Sequence, residues 1–100
     1  MVQNELYPIF LKVSQLNVLI IGGGTVALEK LTFLLKSSPN AKVLVVSKDF
    51  DEKLLQLTEE FNVSIVRASY SKTALKNKQV VIAATNNEQV NNQIYIDAKS

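Results

Sequence analysis

The residues of this chain best suited to chemistry are Gly22-Gly23-Gly24 and the pair that follows, Thr25 and Val26. They come directly after the apolar run Val18-Leu19-Ile20-Ile21 and directly before Ala27. Gly22, Gly24 and Ala27 fit the spacing G-x-G-x-x-[G/A], which holds a dinucleotide when a strand precedes it and a helix follows. Each small residue has its own task in that pattern. Gly22 permits the tight turn, Gly24 lets the backbone approach a pyrophosphate, and Ala27 lets the helix pack close to the strand. The first N–H groups of the helix, with the positive end of its dipole, then face the bound phosphates.

A second set of candidates lies where the next strand ends, at Ser47, Lys48 and Asp49. Most NAD sites place an Asp or Glu about 20 residues beyond the glycines to accept hydrogen bonds from the adenosine ribose. Ser47 is neutral, so that acceptor is missing unless Asp49 folds back to serve. The Ser47 hydroxyl beside Lys48 also suits a 2'-phosphate, which keeps NADP open beside NAD. Asp49 has a competing duty, because Asp49-Phe50-Asp51-Glu52 has the spacing of a capping box with Asp49 as the cap. Thr85, at the end of a later apolar run, completes the cofactor-binding candidates.

The elements that must position these residues follow from periodicity. Val18–Ile21 and Val43–Val46 are continuous, β-branched runs, the pattern of parallel strands covered on both faces. Between them Ala27, Leu31, Leu34 and Leu35 form one apolar helical face, and Ser37-Ser38-Pro39-Asn40 ends that helix. A second helix is predicted over 51–61, with Leu54, Leu57, Thr58 and Phe61 at helical offsets. Val63–Arg67 alternates more, as a strand nearer the sheet edge does. Lys72–Leu75 is predicted as one helical turn, and Val80–Ala84 as a fourth buried strand. Thr85-Asn86-Asn87 supplies cap residues for a final helix with Val90, Ile94 and Ala98 on one face, and Asp97 on that helix reads as a solvated carboxylate. The order β-α-β-α-β-(α)-β-α predicts an α/β, Rossmann-like doubly wound parallel sheet with strand order 3-2-1-4. Its switch point places a ligand above Gly22–Thr25 and Ala84–Asn86. Leu6-Tyr7-Pro8-Ile9-Phe10-Leu11 is expected to pack as an edge strand or arm, since Pro8 removes a ladder donor.

Composition bounds the rest. One hundred residues form one domain, and 47% apolar with 20% charged residues excludes disordered and fibrous classes. A net charge of +2 with scattered lysines gives no footprint for nucleic acid. With neither cysteine nor histidine in the sequence, thiol nucleophiles, thiolate or imidazole metal ligands and imidazole bases are absent from these residues, and no metal site is expected. The N-terminus does not read as a signal peptide, and no apolar run approaches the roughly 18 residues of a membrane span. The expectation is a soluble, cytoplasmic protein without membrane or nucleic-acid partners. A complete dinucleotide fold continues with further strands, so these residues are expected to be a fragment of a longer protein.

Three blocks carry a specific resemblance. Tyr7-Pro8-Ile9-Phe10-Leu11, the run Val18 to Ala27 with Lys30, and Val81-Ile82-Ala83-Ala84-Thr85-Asn86-Asn87 with Val90-Asn91 resemble the N-terminal dehydrogenase domain of siroheme synthase and its stand-alone relatives, the precorrin-2 dehydrogenases. The resemblance implies NAD-dependent oxidation of precorrin-2 to sirohydrochlorin, with insertion of ferrous iron by many members. It implies NAD contacts from Thr25, Val26, Lys48, Asp49 and Thr85. It favours NAD over NADP, because that family has a small residue where Ser47 stands. The family's catalytic aspartate falls on the next strand, beyond Ser100, so no catalytic residue is assigned within this chain, which is expected to be inactive alone. A full-length homodimer is implied as well. The chain departs from the family at Asn86 and Asn87, where aspartates are usual, and at Ser38-Pro39-Asn40, where a glycine is common. Two rival readings are a non-catalytic NAD-sensing module, which would show an acid after the second strand, and a fragment of an NADP-dependent reductase relying on Lys48.

Overall fold

A computed structural model describes residues 16–99; the expected arm at 6–11 lies outside them. The elements run β1 (Asn17–Ile21), α1 (Thr25–Ser37), β2 (Lys42–Ser47), α2 (Glu52–Glu60), β3 (Val63–Arg67), a 3-10 turn (Lys72–Leu75), β4 (Val80–Ala83) and α3 (Glu88–Lys99). The four strands form one sheet in the order β3-β2-β1-β4, all parallel. Val18 stands between Val43 and Val80, and Ile21 between Val46 and Ala83, so the strands end in step at the glycine turn.

Alternation along the strands divides the apolar residues between the two faces. Val18, Ile20, Val43 and Val45 pack with Ala27, Leu31 and Leu35 of α1 and Leu54 of α2. Leu19, Ile21 and Val46 pack with Ile94 of α3, flanked by Tyr70, Leu75 and Val90. Both faces of β1 are thereby covered, as its uninterrupted apolar run requires. Each fully buried Leu or Ile contributes about 1.5–3 kcal/mol of burial, and this two-sided core holds the loops at the carboxyl ends of β1, β2 and β4 in fixed relation.

The structure revises four expectations. The N-cap of α2 is Asp51, whose carboxylate accepts from the Lys53 N–H at 2.8 Å, and not Asp49. The chain turns over Gly23 first, where the Asp51 N–H donates to the Gly23 carbonyl at 2.6 Å, so the helix starts two residues later than the Asp49 reading requires. β4 is half-buried along its length, because it is the outer strand of the sheet among the described residues. Ile94 is buried and Val90 half-buried as the α3 pattern predicts, but Ala98 is exposed. Asp97 is engaged rather than solvated: it accepts a 2.6 Å hydrogen bond from the Tyr70 hydroxyl and a 2.9 Å bond from Gln93.

Candidate functional site

β1 runs straight into the glycines, and each glycine there meets a different surrounding. Gly22 has φ +133°, and a Cβ on it would collide with the Ala84 carbonyl oxygen and lie 2.7 Å from the Ala84 carbonyl carbon. This residue must be glycine for the ends of β1 and β4 to meet. Its N–H donates to Val46 at 2.9 Å, which ties the turn to β2 as well. Gly23 is pressed under the loop after β2: a Cβ would run into the Asp49 carbonyl and stand 3.0 Å from Phe50. Gly24 faces open space, with nothing within 4 Å of an added Cβ.

That open space lies at the N-terminus of α1. Gly24 is the N-cap and provides no side-chain hydrogen bond, while the first intrahelical bond runs from Leu28 N–H to the Gly24 carbonyl at 3.0 Å. The N–H groups of Thr25, Val26 and Ala27 precede that bond, and an α-helix gives them no internal acceptor. Thr25 and Val26 are exposed, and Ala27 is fully buried against the sheet. Bare donors at the positive end of a thirteen-residue helix are a site for an anion. The cradle fits a pyrophosphate because no Cβ fills it.

A cavity of about 810 Å³ opens above this turn at the carboxyl ends of the strands. Gly22, Gly24, Thr25, Val26, Ser47, Lys48, Asp49 and Thr85 all line it, so the residues singled out from sequence converge on one space. Its volume lies within the range of about 300–1,000 Å³ usual for ligand sites. Lys48 and Asp49 are exposed and Ser47 half-buried. With Asp51 capping α2, no hydrogen bond or ion pair engages the Asp49 carboxylate among the described residues. Arg67, the register partner of Ser47, lies 5.3 Å over the Phe50 ring and braces the same loop.

The β4 side of the cavity is built differently. The Thr85 hydroxyl donates to Asn91 Oδ1 at 2.6 Å, the Thr85 N–H donates to the same oxygen at 3.2 Å, and Asn91 Nδ2 returns a 3.2 Å bond to the Thr85 carbonyl. Asn87 caps α3, its Oδ1 accepting from Gln89 and Val90 N–H groups at 2.9 and 3.2 Å. Thr85 therefore presents a fixed wall, its donors already committed to α3, while Asn86 stands exposed on the cavity rim.

Tyr70, three residues past β3, also lines the cavity. Burial, then the hydrogen bond and negative charge of Asp97, push its phenol up to about 12. The same bond, reinforced by Gln93 and by the charge of Lys72, holds Asp97 below the ordinary carboxylate range. Sequence reasoning missed Tyr70, read Asp97 only as a solvated carboxylate, and took Gly23 and Asn91 only as members of their motifs. Gly23 left a signal as the middle of three glycines, where the pattern accepts any residue, and Asn91 left one in the Val90-Asn91 pair. No group of three or more His, Cys, Asp or Glu able to hold a metal occurs among the described residues, and no helix there is long and apolar enough to cross a membrane.

Comparison with known proteins agrees with this geometry. A family model described as "Putative NAD(P)-binding" matches residues 9–100. The chain is 41% identical over 88 residues to a siroheme synthase of Pseudoalteromonas translucida (strain TAC 125), covering 88% of this chain and 18% of that protein. It is 36% identical over 92 residues to a siroheme synthase of Psychrobacter arcticus, covering 92% of this chain and 16% of the relative. The chain thus spans less than a fifth of the length of these relatives. Among solved structures, a precorrin-2 dehydrogenase shares the fold with a TM-score of 0.79 at 23% identity, over 90% of this chain and 44% of that one.

Proposed function

Because the chain belongs to this NAD(P)-binding family, we propose that it is the nucleotide-binding domain of a longer, NAD-dependent dehydrogenase of siroheme biosynthesis that oxidises precorrin-2 to sirohydrochlorin. The observation that carries the reading is the uncapped N-terminus of α1, opening with Gly24 on a cavity that also holds the end of β2. The siroheme synthase relatives supply the pathway, and the fold shared with a precorrin-2 dehydrogenase agrees with it.

The division of labour follows from the walls. The N–H groups of Thr25, Val26 and Ala27 hold the pyrophosphate, with Gly22 and Gly24 keeping that space clear. Asp49, released from capping duty, accepts hydrogen bonds from the adenosine ribose hydroxyls, and its charge opposes a 2'-phosphate, which favours NAD over NADP. Ser47 leaves room for that ribose, and Lys48 flanks it. Thr85, fastened by Asn91, forms the wall on the nicotinamide side. When bound, NAD supplies the hydride acceptor. The charged residues lining the cavity are Lys48, Asp49 and Asp51, all on the β2 side, and the resemblance to the dehydrogenase family implies a catalytic aspartate beyond Ser100. We further assign the longer protein to the cytoplasm as a homodimer, with ferrous iron as a second substrate where it also acts as a chelatase.

The test uses the full-length protein, NAD and precorrin-2, with NADH followed by absorbance and NADP as the parallel cofactor. NADH formation matched by sirohydrochlorin is expected, at a rate at least tenfold above that with NADP. NAD binding without turnover would contradict the dehydrogenase reading and favour a sensing module.

A further inference from the structure

We propose that Tyr70 is the platform on which the adenine base of the dinucleotide stacks, and that Asp97, on α3, is the residue that positions it. The inference rests on the NAD reading above and adds the recognition of the base, which no motif in the chain supplies.

The placement comes from the sheet. β3 is paired with β2 so that Arg67 stands beside Ser47, and the next residue, Ala68, donates its N–H to the Ser47 carbonyl at 2.9 Å. The exit of β3 therefore runs directly alongside the end of β2, where a Rossmann-like fold puts the adenosine ribose. A base carried on that ribose meets the wall formed by residues 68–70, and Tyr70 is its aromatic member. On its inner side Tyr70 packs against the cluster of Leu19, Ile21, Val46 and Ile94. Tyr70 thus combines apolar packing with a place in the cavity wall, which suits a stacking surface.

The anchor makes the surface rigid. The Tyr70 hydroxyl donates to Asp97 Oδ2 at 2.6 Å, across 27 residues of sequence, and Gln93 Nε2 donates to Asp97 Oδ1 at 2.9 Å. Both carboxylate oxygens are engaged, so the phenol is tied at its far end before any ligand arrives. A platform ordered in advance loses less side-chain entropy on binding than a free one. A bond that merely fastened the loop after β3 to α3 would not require that the fastened residue line the cofactor cavity.

The experiment measures the KM for NAD, the kcat and the dissociation constant of NAD with the full-length protein and four variants. Tyr70→Leu keeps apolar packing but removes the aromatic face, and is expected to weaken NAD binding and raise KM roughly tenfold, the scale of one base-aromatic stack, with kcat unchanged. Tyr70→Phe keeps the face and loses the anchor, so its loss is expected to stay within about threefold. Asp97→Ala, which removes the acceptor, should match Tyr70→Phe, and the double variant should be no worse than either, because Asp97 acts through Tyr70. Equal losses in Tyr70→Leu and Tyr70→Phe, or additive losses in the double variant, would overturn the inference and leave a structural fastening. Failure of the wild-type protein to bind NAD would instead overturn the cofactor reading on which it rests.

Discussion

Three helices begin at the carboxyl end of the same sheet, and their first turns are finished in different ways. α2 and α3 are closed by their own side chains, Asp51 and Asn87, and the start of α3 is further tied to the end of β4 through Thr85 and Asn91. α1 begins at Gly24 with no side-chain cap and open space above it. A capped junction has used its donors on itself and serves as frame, whereas a bare one keeps its donors for a ligand. The contrast separates the residues that hold the site from those that face the cofactor, although both kinds line one cavity.

Substitutions that move one junction toward the other's character test this contrast. The largest effect is expected at Gly22→Ala, where a positive φ and the Ala84 carbonyl both oppose a side chain. A stability loss of about 3 kcal/mol should be seen by urea denaturation, with NAD binding falling as a consequence. Gly24→Asp does the reverse, giving α1 a cap of the kind α2 has. Its folding stability should hold or rise by a few tenths of a kcal/mol, while NAD affinity drops about a hundredfold because the new carboxylate occupies and repels the anion position. A calorimetric titration beside a denaturation curve reads both quantities.

The β4–α3 junction should respond in the opposite sense. Asn91→Ala removes three hydrogen bonds to Thr85 and is expected to destabilise by about 2 kcal/mol, with a smaller effect on NAD affinity than Gly24→Asp. Asn87→Ala should cost about 1 kcal/mol, the usual value of a lost N-cap, again measured by urea unfolding. The smallest effect concerns pH. Asp97 is held below its ordinary range, so its contribution to stability is present above that range and fades as pH falls through the lowered value. Tyr70 is raised to about 12, so its contribution is present below the usual tyrosine range and is lost as pH rises toward 12. Urea midpoints followed against pH should fall at both extremes, and Asp97→Asn should reduce the acid-side fall.

Much of this arrangement was legible in the residues themselves. The apolar runs at Val18–Ile21 and Val43–Val46 announced central strands, and the alternating elements gave the order β3-β2-β1-β4 that the sheet adopts. The glycine turn located the cavity. Local pattern could not decide between Asp49 and Asp51 as the cap of α2, because both precede the same apolar face. The choice is made by Gly23, which draws the loop down by a contact between segments 28 residues apart in number, Gly23 and Asp51. Tyr70 and Asp97 were equally hidden. One follows a strand and the other sits on an outer helical turn, and only the packing of α3 on the sheet brings them within 2.6 Å. β4 reads as buried because its residues are apolar, yet burial of an outer strand depends on what stands beside it.

Amide hydrogen exchange of the full-length protein, with and without NAD, tests the contrast between the junctions most directly. Bound NAD is predicted to slow exchange at Thr25, Val26 and Ala27, whose N–H groups would gain acceptors, and to leave Gln89 and Val90, already bonded to Asn87, nearly unchanged. Protection at Gln89 and Val90 with none at Thr25–Ala27 would contradict the assignment of the bare helix as the pyrophosphate site.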